Sequence, residues 1–250
     1  MNWDTTNNNF SWDTTKNVFD DLLIVFSGKD IGVLGVDASG KSTLCKLITE
    51  KILDGQVATT NTRDFFRKIN IKFQKSENNQ TIRIRKIIDV GGHRGLYKEK
   101  RKTFESVGCF IYVLRSDLIL PEKQIVRKVS TVVLKEEIER HKNAVKQDFY
   151  NFTGWKKNNK KLIIVGNYFG HSPDGEKVII PYDGVSVTPN FMDNNYHNNY
   201  LREFRKILTK ETETIIDSLS LKVNWVVGSL TSRPLANKLV LDIFRCLVEE

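Results

Sequence analysis

The chain has 250 residues, 40% hydrophobic and 10% aromatic, enough to bury the core of one large domain or two small ones, which excludes disorder of the whole chain. Thirty-nine Lys+Arg against 30 Asp+Glu leave a net charge of +9, so the surface favours an anion: nucleotide, nucleic acid or acidic lipid. Three widely spaced cysteines, Cys45, Cys109 and Cys246, read as buried thiols in a reducing, cytoplasmic setting rather than a disulfide framework.

The start, Met1-Asn2-Trp3-Asp4, has neither a signal-peptide pattern nor Met-Gly, and the apolar stretch Leu22 to Phe26 is far too short to span a bilayer. Residues 1–19 hold a tandem nine-residue repeat: Asn2-Trp3-Asp4-Thr5-Thr6-Asn7-Asn8-Asn9-Phe10 is followed by Ser11-Trp12-Asp13-Thr14-Thr15-Lys16-Asn17-Val18-Phe19. The segment reads either as a polar tail whose aromatics pack on the domain, or as a duplicated docking peptide with Trp and Phe as anchors. Residues 20–250 read as a single domain.

Within it, Ile31 to Val36 is a branched apolar run, followed by a Gly-rich turn and by Ser42 to Leu53, where Leu44, Leu47, Ile48 and Ile52 recur at helical spacing. Arg67 to Gln74 and Thr81 to Asp89 alternate and form a β-hairpin around Lys75 to Gln80. Phe110 to Leu114 is a buried strand, Ile125 to Phe149 a long amphipathic helix, Leu162 to Val165 and Val223 to Val227 two more strands, and Leu235 to Val248 a closing helix. Residues 166–205, rich in Pro, Asn and Tyr, read as an insertion or long surface loop. Strands alternating with helices predict an α/β domain with a mostly parallel sheet, one hairpin, and helices on both faces.

Gly35-Val36-Asp37-Ala38-Ser39-Gly40-Lys41-Ser42 fits G-x-x-x-x-G-K-[ST] between a strand and a helix. Such a loop turns backbone N–H groups toward phosphates, with Lys41 reaching the terminal phosphates and the Ser42 hydroxyl on Mg²⁺. Asp89-Val90-Gly91-Gly92-His93 follows at the end of the second hairpin strand. A carboxylate there can hold the metal, and the following glycine can present an N–H to the γ-phosphate.

These two motifs resemble those of Ras-like small GTPases, and most of all the ADP-ribosylation factor (Arf) branch, whose Gly-Leu-Asp-Ala-Ala-Gly-Lys-Thr-Thr and Asp-Val-Gly-Gly-Gln are close to Gly35 to Thr43 and Asp89 to His93. The resemblance covers residues 20–118 well and the remainder by element order. It implies a P-loop NTPase fold and a GTP/GDP-binding, Mg²⁺-dependent switch. It implies phosphate binding by Asp37, Ala38, Ser39, Gly40, Lys41, Ser42 and Thr43, and metal binding by Ser42, Asp89 and Thr62, the last in competition with Thr59 and Thr60. Gly92 is implied as the γ-phosphate sensor of a second switch running from Gly91 to Lys102, and His93, where Arf-like proteins have glutamine, as the residue that positions water with Lys41 in a slow hydrolysis.

The base-reading loop departs from the family. Asn167-Tyr168-Phe169-Gly170 keeps the asparagine of Asn-Lys-x-Asp but has Tyr168 for the lysine and Gly170 for the carboxylate, with Asp174 as a candidate replacement. Ser229 and Leu230 take the place of the loop whose backbone touches the base. Two functions therefore stand: a hydrolysing GTP switch, and a non-hydrolysing nucleotide-binding interaction module without strict guanine specificity. Arg94, Lys98, Lys100, Arg101 and Lys102 crowd the second switch, with further cations on the hairpin and at Lys156-Lys157 and Lys160-Lys161. They read as a solvated face or as a surface for an acidic partner or a peripheral membrane contact, with Phe19, Leu22, Leu23 and Phe26 at helical spacing before the first strand. Nucleic acid is disfavoured because no aromatics interleave the basic runs. Cysteine and histidine do not group into a zinc site.

Overall fold

The computed structural model describes residues 10–14, 28–50, 62–65, 69–75, 78–120, 131–155, 160–170, 189–213 and 215–248. Eight strands form one sheet: β1 (Phe10–Thr14), β2 (Lys29–Gly35), β3 (Thr62–Phe65), β4 (Ile69–Lys75), β5 (Asn78–Val90), β6 (Cys109–Arg115), β7 (Lys161–Asn167) and β8 (Lys222–Gly228), in the order β1-β4-β5-β2-β6-β7-β8 with β3 also on β5. β5, β2, β6, β7 and β8 run parallel, while β1, β3 and β4 pair antiparallel. The hairpin of the sequence is thus β4 and β5, and the class is the α/β, mostly parallel arrangement expected, with one hairpin and helices on both faces.

Parallel strands covered on both faces need continuous apolar runs, and β6 is buried at every position. Its alternate residues supply two cores. Phe110, Tyr112 and Leu114 face α2 (Tyr97–Ser106), α4 (Thr131–Thr153) and α5 (Asn194–Glu211), meeting Phe104, Phe149, Phe152, Tyr200 and Phe204. Cys109, Ile111 and Val113 face α1 (Lys41–Glu50) and α7 (Arg233–Val248), meeting Leu44, Leu47, Ile48, Leu239, Val240 and Phe244. Two short helices, α3 (Ser116–Ile119) and α6 (Ile215–Ser218), complete the framework. Among the described residues no helix is long and apolar enough to cross a membrane. Cys45 and Cys109 are buried free thiols, and burial pushes the Cys109 thiol up to about 11.

Two segments differ from the sequence expectation. Phe10–Thr14, inside the expected tail, pairs with the outer edge of β4 from Phe10↔Phe73 to Thr14↔Ile69. The expected insertion at 166–205 ends in α5, a helix capped by the Asp193 side chain on Tyr196 N at 2.7 Å. Its stripe of Tyr200, Phe204 and Leu208 is buried in the core. Residues 171–188, including Asp174, and the apolar run from Phe19 to Phe26 lie outside the described residues.

The strand order reverses at β2, with β5 on one side and β6 on the other. That is the switch point where open α/β sheets bind ligands. Residues 36–40, 91–93 and 115–117 all leave the sheet there.

Candidate nucleotide-binding site

The phosphate loop joins β2 to α1. Ala38 has φ 54° and Gly40 φ +92°, so the turn leaves ordinary extended backbone and folds into the concave form that presents successive N–H groups. Asp37 and Ala38 are exposed, whereas Ser39 and Lys41 are buried. Asp37 Oδ1 accepts from Ala38 N at 3.0 Å. Lys41 Nζ donates to Val36 O at 2.5 Å, bending the side chain back over the loop. Burial brings the Lys41 ammonium down to about 8, against the opposing attraction of Asp89 and Asp37. Thr43 is half-buried on α1.

At the end of β5, Asp89 is fully buried, and Ser42 Oγ donates to its Oδ2 at 2.5 Å. A hydroxyl and a carboxylate brought this close form a hard-oxygen donor pair, the chemistry Mg²⁺ takes. The residues present therefore fit the metal that the phosphate loop implies. Thr62 lies at the start of β3 with Val90 as its ladder partner, beside Arg63 opposite Asp89. The backbone register thus places Thr62 one ladder position from Asp89. Thr59 and Thr60 lie outside the described residues.

Gly92, where the sequence places the start of a second switch, lies against the glycine-rich loop after β2. A Cβ on Gly92 would lie 2.2 Å from Asp37 N and 2.5 Å from Val36 C, so only glycine permits this approach. His93 is exposed and its Nδ1 accepts from Gly95 N at 3.1 Å, capping the 3₁₀ turn Arg94–Leu96 that leads into α2. The basic cluster of this region is not one surface. Lys98 and Lys102 are exposed, but Arg101 pairs with Glu105 at 2.9 Å and Lys100 is buried against Asp148 at 3.0 Å. Tyr112 OH also donates to Asp148, at 2.9 Å. Lys160 is likewise spent inside, donating to Val107 O at 2.5 Å, and Lys161 donates to Cys246 O at 2.5 Å.

Asn167 joins two loops: Nδ2 donates to Ser39 O at 3.0 Å and Oδ1 accepts from Leu230 N at 3.1 Å. Ser229 Oγ donates to Tyr168 O at 2.8 Å. Tyr168, which follows Asn167, is buried, its ring edge-on to Phe191 and Tyr200. Gly170 N donates to Asp117 Oδ2 at 3.3 Å, so the position of the family's carboxylate offers no side-chain acceptor.

Sequence reasoning missed the cluster beneath this loop. Arg115 pairs with Asp117 at 2.5 Å and Glu137 at 3.2 Å, lies 5.4 Å over the Phe169 ring, and donates from its backbone N to His141 Nε2 at 3.2 Å. Burial, with Arg115 nearby, holds His141 neutral, its pKa down to about 3. A signal was available: Arg115-Ser116-Asp117 ends an apolar strand at the ligand-binding edge, and Glu137 and His141 share a helix face with buried Ile138 and Val145.

No protein-family model matches the chain, and no curated protein matches it. Among solved structures, it is similar to the mammalian SRP receptor, with 15% identity over 88% of this chain and 100% of that one and a TM-score of 0.48. It is also similar to an ADP-ribosylation-factor-like GTP-binding protein, the small COPII coat GTPase Sar1 of Encephalitozoon cuniculi in complex with GDP, with 16% identity over 92% and 82% of the two chains and a TM-score of 0.44.

Proposed function

We propose that the protein is a nucleoside-triphosphate-dependent molecular switch that binds GTP with Mg²⁺, hydrolyses it slowly, and uses the second switch to control a partner. The observation that carries this reading is the 2.5 Å contact of Ser42 with buried Asp89, which ties the end of β5 to the first turn of α1 just after the G-x-x-x-x-G-K-S loop. Lys41 and the N–H groups of residues 37–43 hold the β- and γ-phosphates and balance charge that builds on them in transfer to water. Ser42, Asp89 and Thr62 hold Mg²⁺, which when bound neutralises phosphate charge. In this reading Gly92 senses the γ-phosphate and draws residues 91–102 with it, which its close approach to Asp37 supports. With Nδ1 occupied by Gly95 N, the His93 ring turns its other nitrogen, Nε2, outward to orient the attacking water.

One observation favours a second reading, a binding module without strict guanine selectivity: Gly170 supplies no carboxylate and Tyr168 is turned into the core. Two assays separate the readings. Phosphate release from GTP that is abolished in Lys41→Ala supports the switch, and no release above buffer supports the module. In competition, a hundredfold preference for GTP over ATP supports guanine recognition, and equal affinities contradict it.

A further inference from the structure

β8 is the last strand of the sheet, and no described strand pairs with its outer edge. Beside that edge lies a groove of about 590 Å³, walled by one face of α5 (Asn198, Leu201, Arg202, Arg205, Lys206 and Thr209) together with Asp217 and Trp225. The helical residues recur at three- and one-residue steps, so they form a single stripe. Three of them are exposed cations, and the acids nearby are Asp217 in the groove and Glu203, 3.8 Å from Arg202. The floor is aromatic and fixed. Trp225 packs edge-on against Phe204 with centroids 6.2 Å apart and carries the Arg205 guanidinium 5.7 Å above its ring. At the end of β8, His197 Nε2 donates to Val227 O at 3.1 Å. None of these residues belongs to the nucleotide site, which lies at β2, separated from β8 by β6 and β7.

We propose that this groove is a docking site for an acidic, extended segment of a partner protein that adds as a strand to the edge of β8. Three features favour this occupant. A strand edge offers backbone hydrogen bonding that an extended peptide can complete and a lipid surface cannot. The cations select an acidic partner. Their spacing also suits a strand: Arg202 and Lys206 are one helical step of about 6 Å apart, close to the roughly 6.7 Å between alternate strand residues. Acidic side chains at every second position would meet them in turn, while the intervening residues face the α7 side.

The test uses the full chain and two labelled peptides of equal composition, Glu-Val-Glu-Val-Glu-Val-Glu and Glu-Glu-Val-Val-Glu-Val-Glu, with phosphatidylserine vesicles as a third probe. The alternating peptide should bind at least tenfold more tightly than the rearranged one and slow amide exchange across residues 223–226. The double substitution Arg205→Glu, Lys206→Glu should lower that affinity at least tenfold while leaving nucleotide affinity unchanged, which also reports an intact fold. Equal binding of both peptides, binding indifferent to the double substitution, or vesicle capture that requires Arg205 and Lys206 without peptide binding would each overturn the proposal.

Discussion

Asn167 Nδ2 donates to Ser39 O at 3.0 Å while its Oδ1 accepts from Leu230 N at 3.1 Å, so the residue expected to read a base is also the clamp between the phosphate loop and the loop after β8. Both contacts are buried. Replacing Asn167 by Ala leaves a buried carbonyl and a buried N–H without partners, and should cost about 2–4 kcal/mol of stability. Urea unfolding measures the loss, and nucleotide affinity should fall with it because the Ser39 carbonyl is freed.

Gly92 makes the second sharp prediction. A methyl group there would sit 2.2 Å from Asp37 N, so Gly92→Ala must push the second switch off the phosphate loop. Amide exchange in residues 93–102 should become insensitive to the choice of di- or triphosphate, although both nucleotides still bind.

The acid sensitivity of the fold should trace in part to His141. Its folded pKa of about 3 lies below the ordinary 6.5, so the unfolded chain binds more protons in between. The stability this site contributes is complete above about 6.5 and is lost as pH falls toward 3. Between pH 7.5 and 5.0 the loss from this one group is about 2 kcal/mol. His141→Gln, which can keep an acceptor for Arg115 N, should flatten that part of the urea-midpoint profile.

Lys100 and Asp148 tie the second-switch helix to α4 from inside the protein, at 3.0 Å. Removing only the cation, as in Lys100→Met, leaves Asp148 buried with the Tyr112 hydroxyl and should destabilise by about 3–5 kcal/mol. The double variant Lys100→Met, Asp148→Leu should recover part of this loss in thermal melts.

The phosphate loop and the central strands were legible because their signals are local: an apolar run, a fixed spacing of glycines and lysine, then a helical period. α5 was not, because Asn194 to Asn199 hide the three-residue core stripe of Tyr200, Phe204 and Leu208 behind a composition typical of loops. β1 was missed for the opposite reason. Its pairing is decided by the open edge of β4, fifty-five residues or more further along the chain at every ladder position. The charge reading failed in part as well: Lys100 and Lys160 neutralise or cap groups inside the protein, and no count of basic residues reveals which of them point inward. The network around Arg115 depends on β6, α4 and the base loop converging, which spacing alone does not encode.

The central claim is that Ser42, Asp89 and Lys41 form a Mg²⁺-triphosphate site. It is tested most directly by equilibrium titration of the full chain with fluorescent GTP and ATP analogues, with and without Mg²⁺, in parallel with Lys41→Ala and Asp89→Ala. Saturable binding that tightens at least tenfold with Mg²⁺ is expected. At least a hundredfold loss in Lys41→Ala and loss of the Mg²⁺ effect in Asp89→Ala are expected with it. Binding equal in wild type and Lys41→Ala, or no binding of either triphosphate, would contradict it.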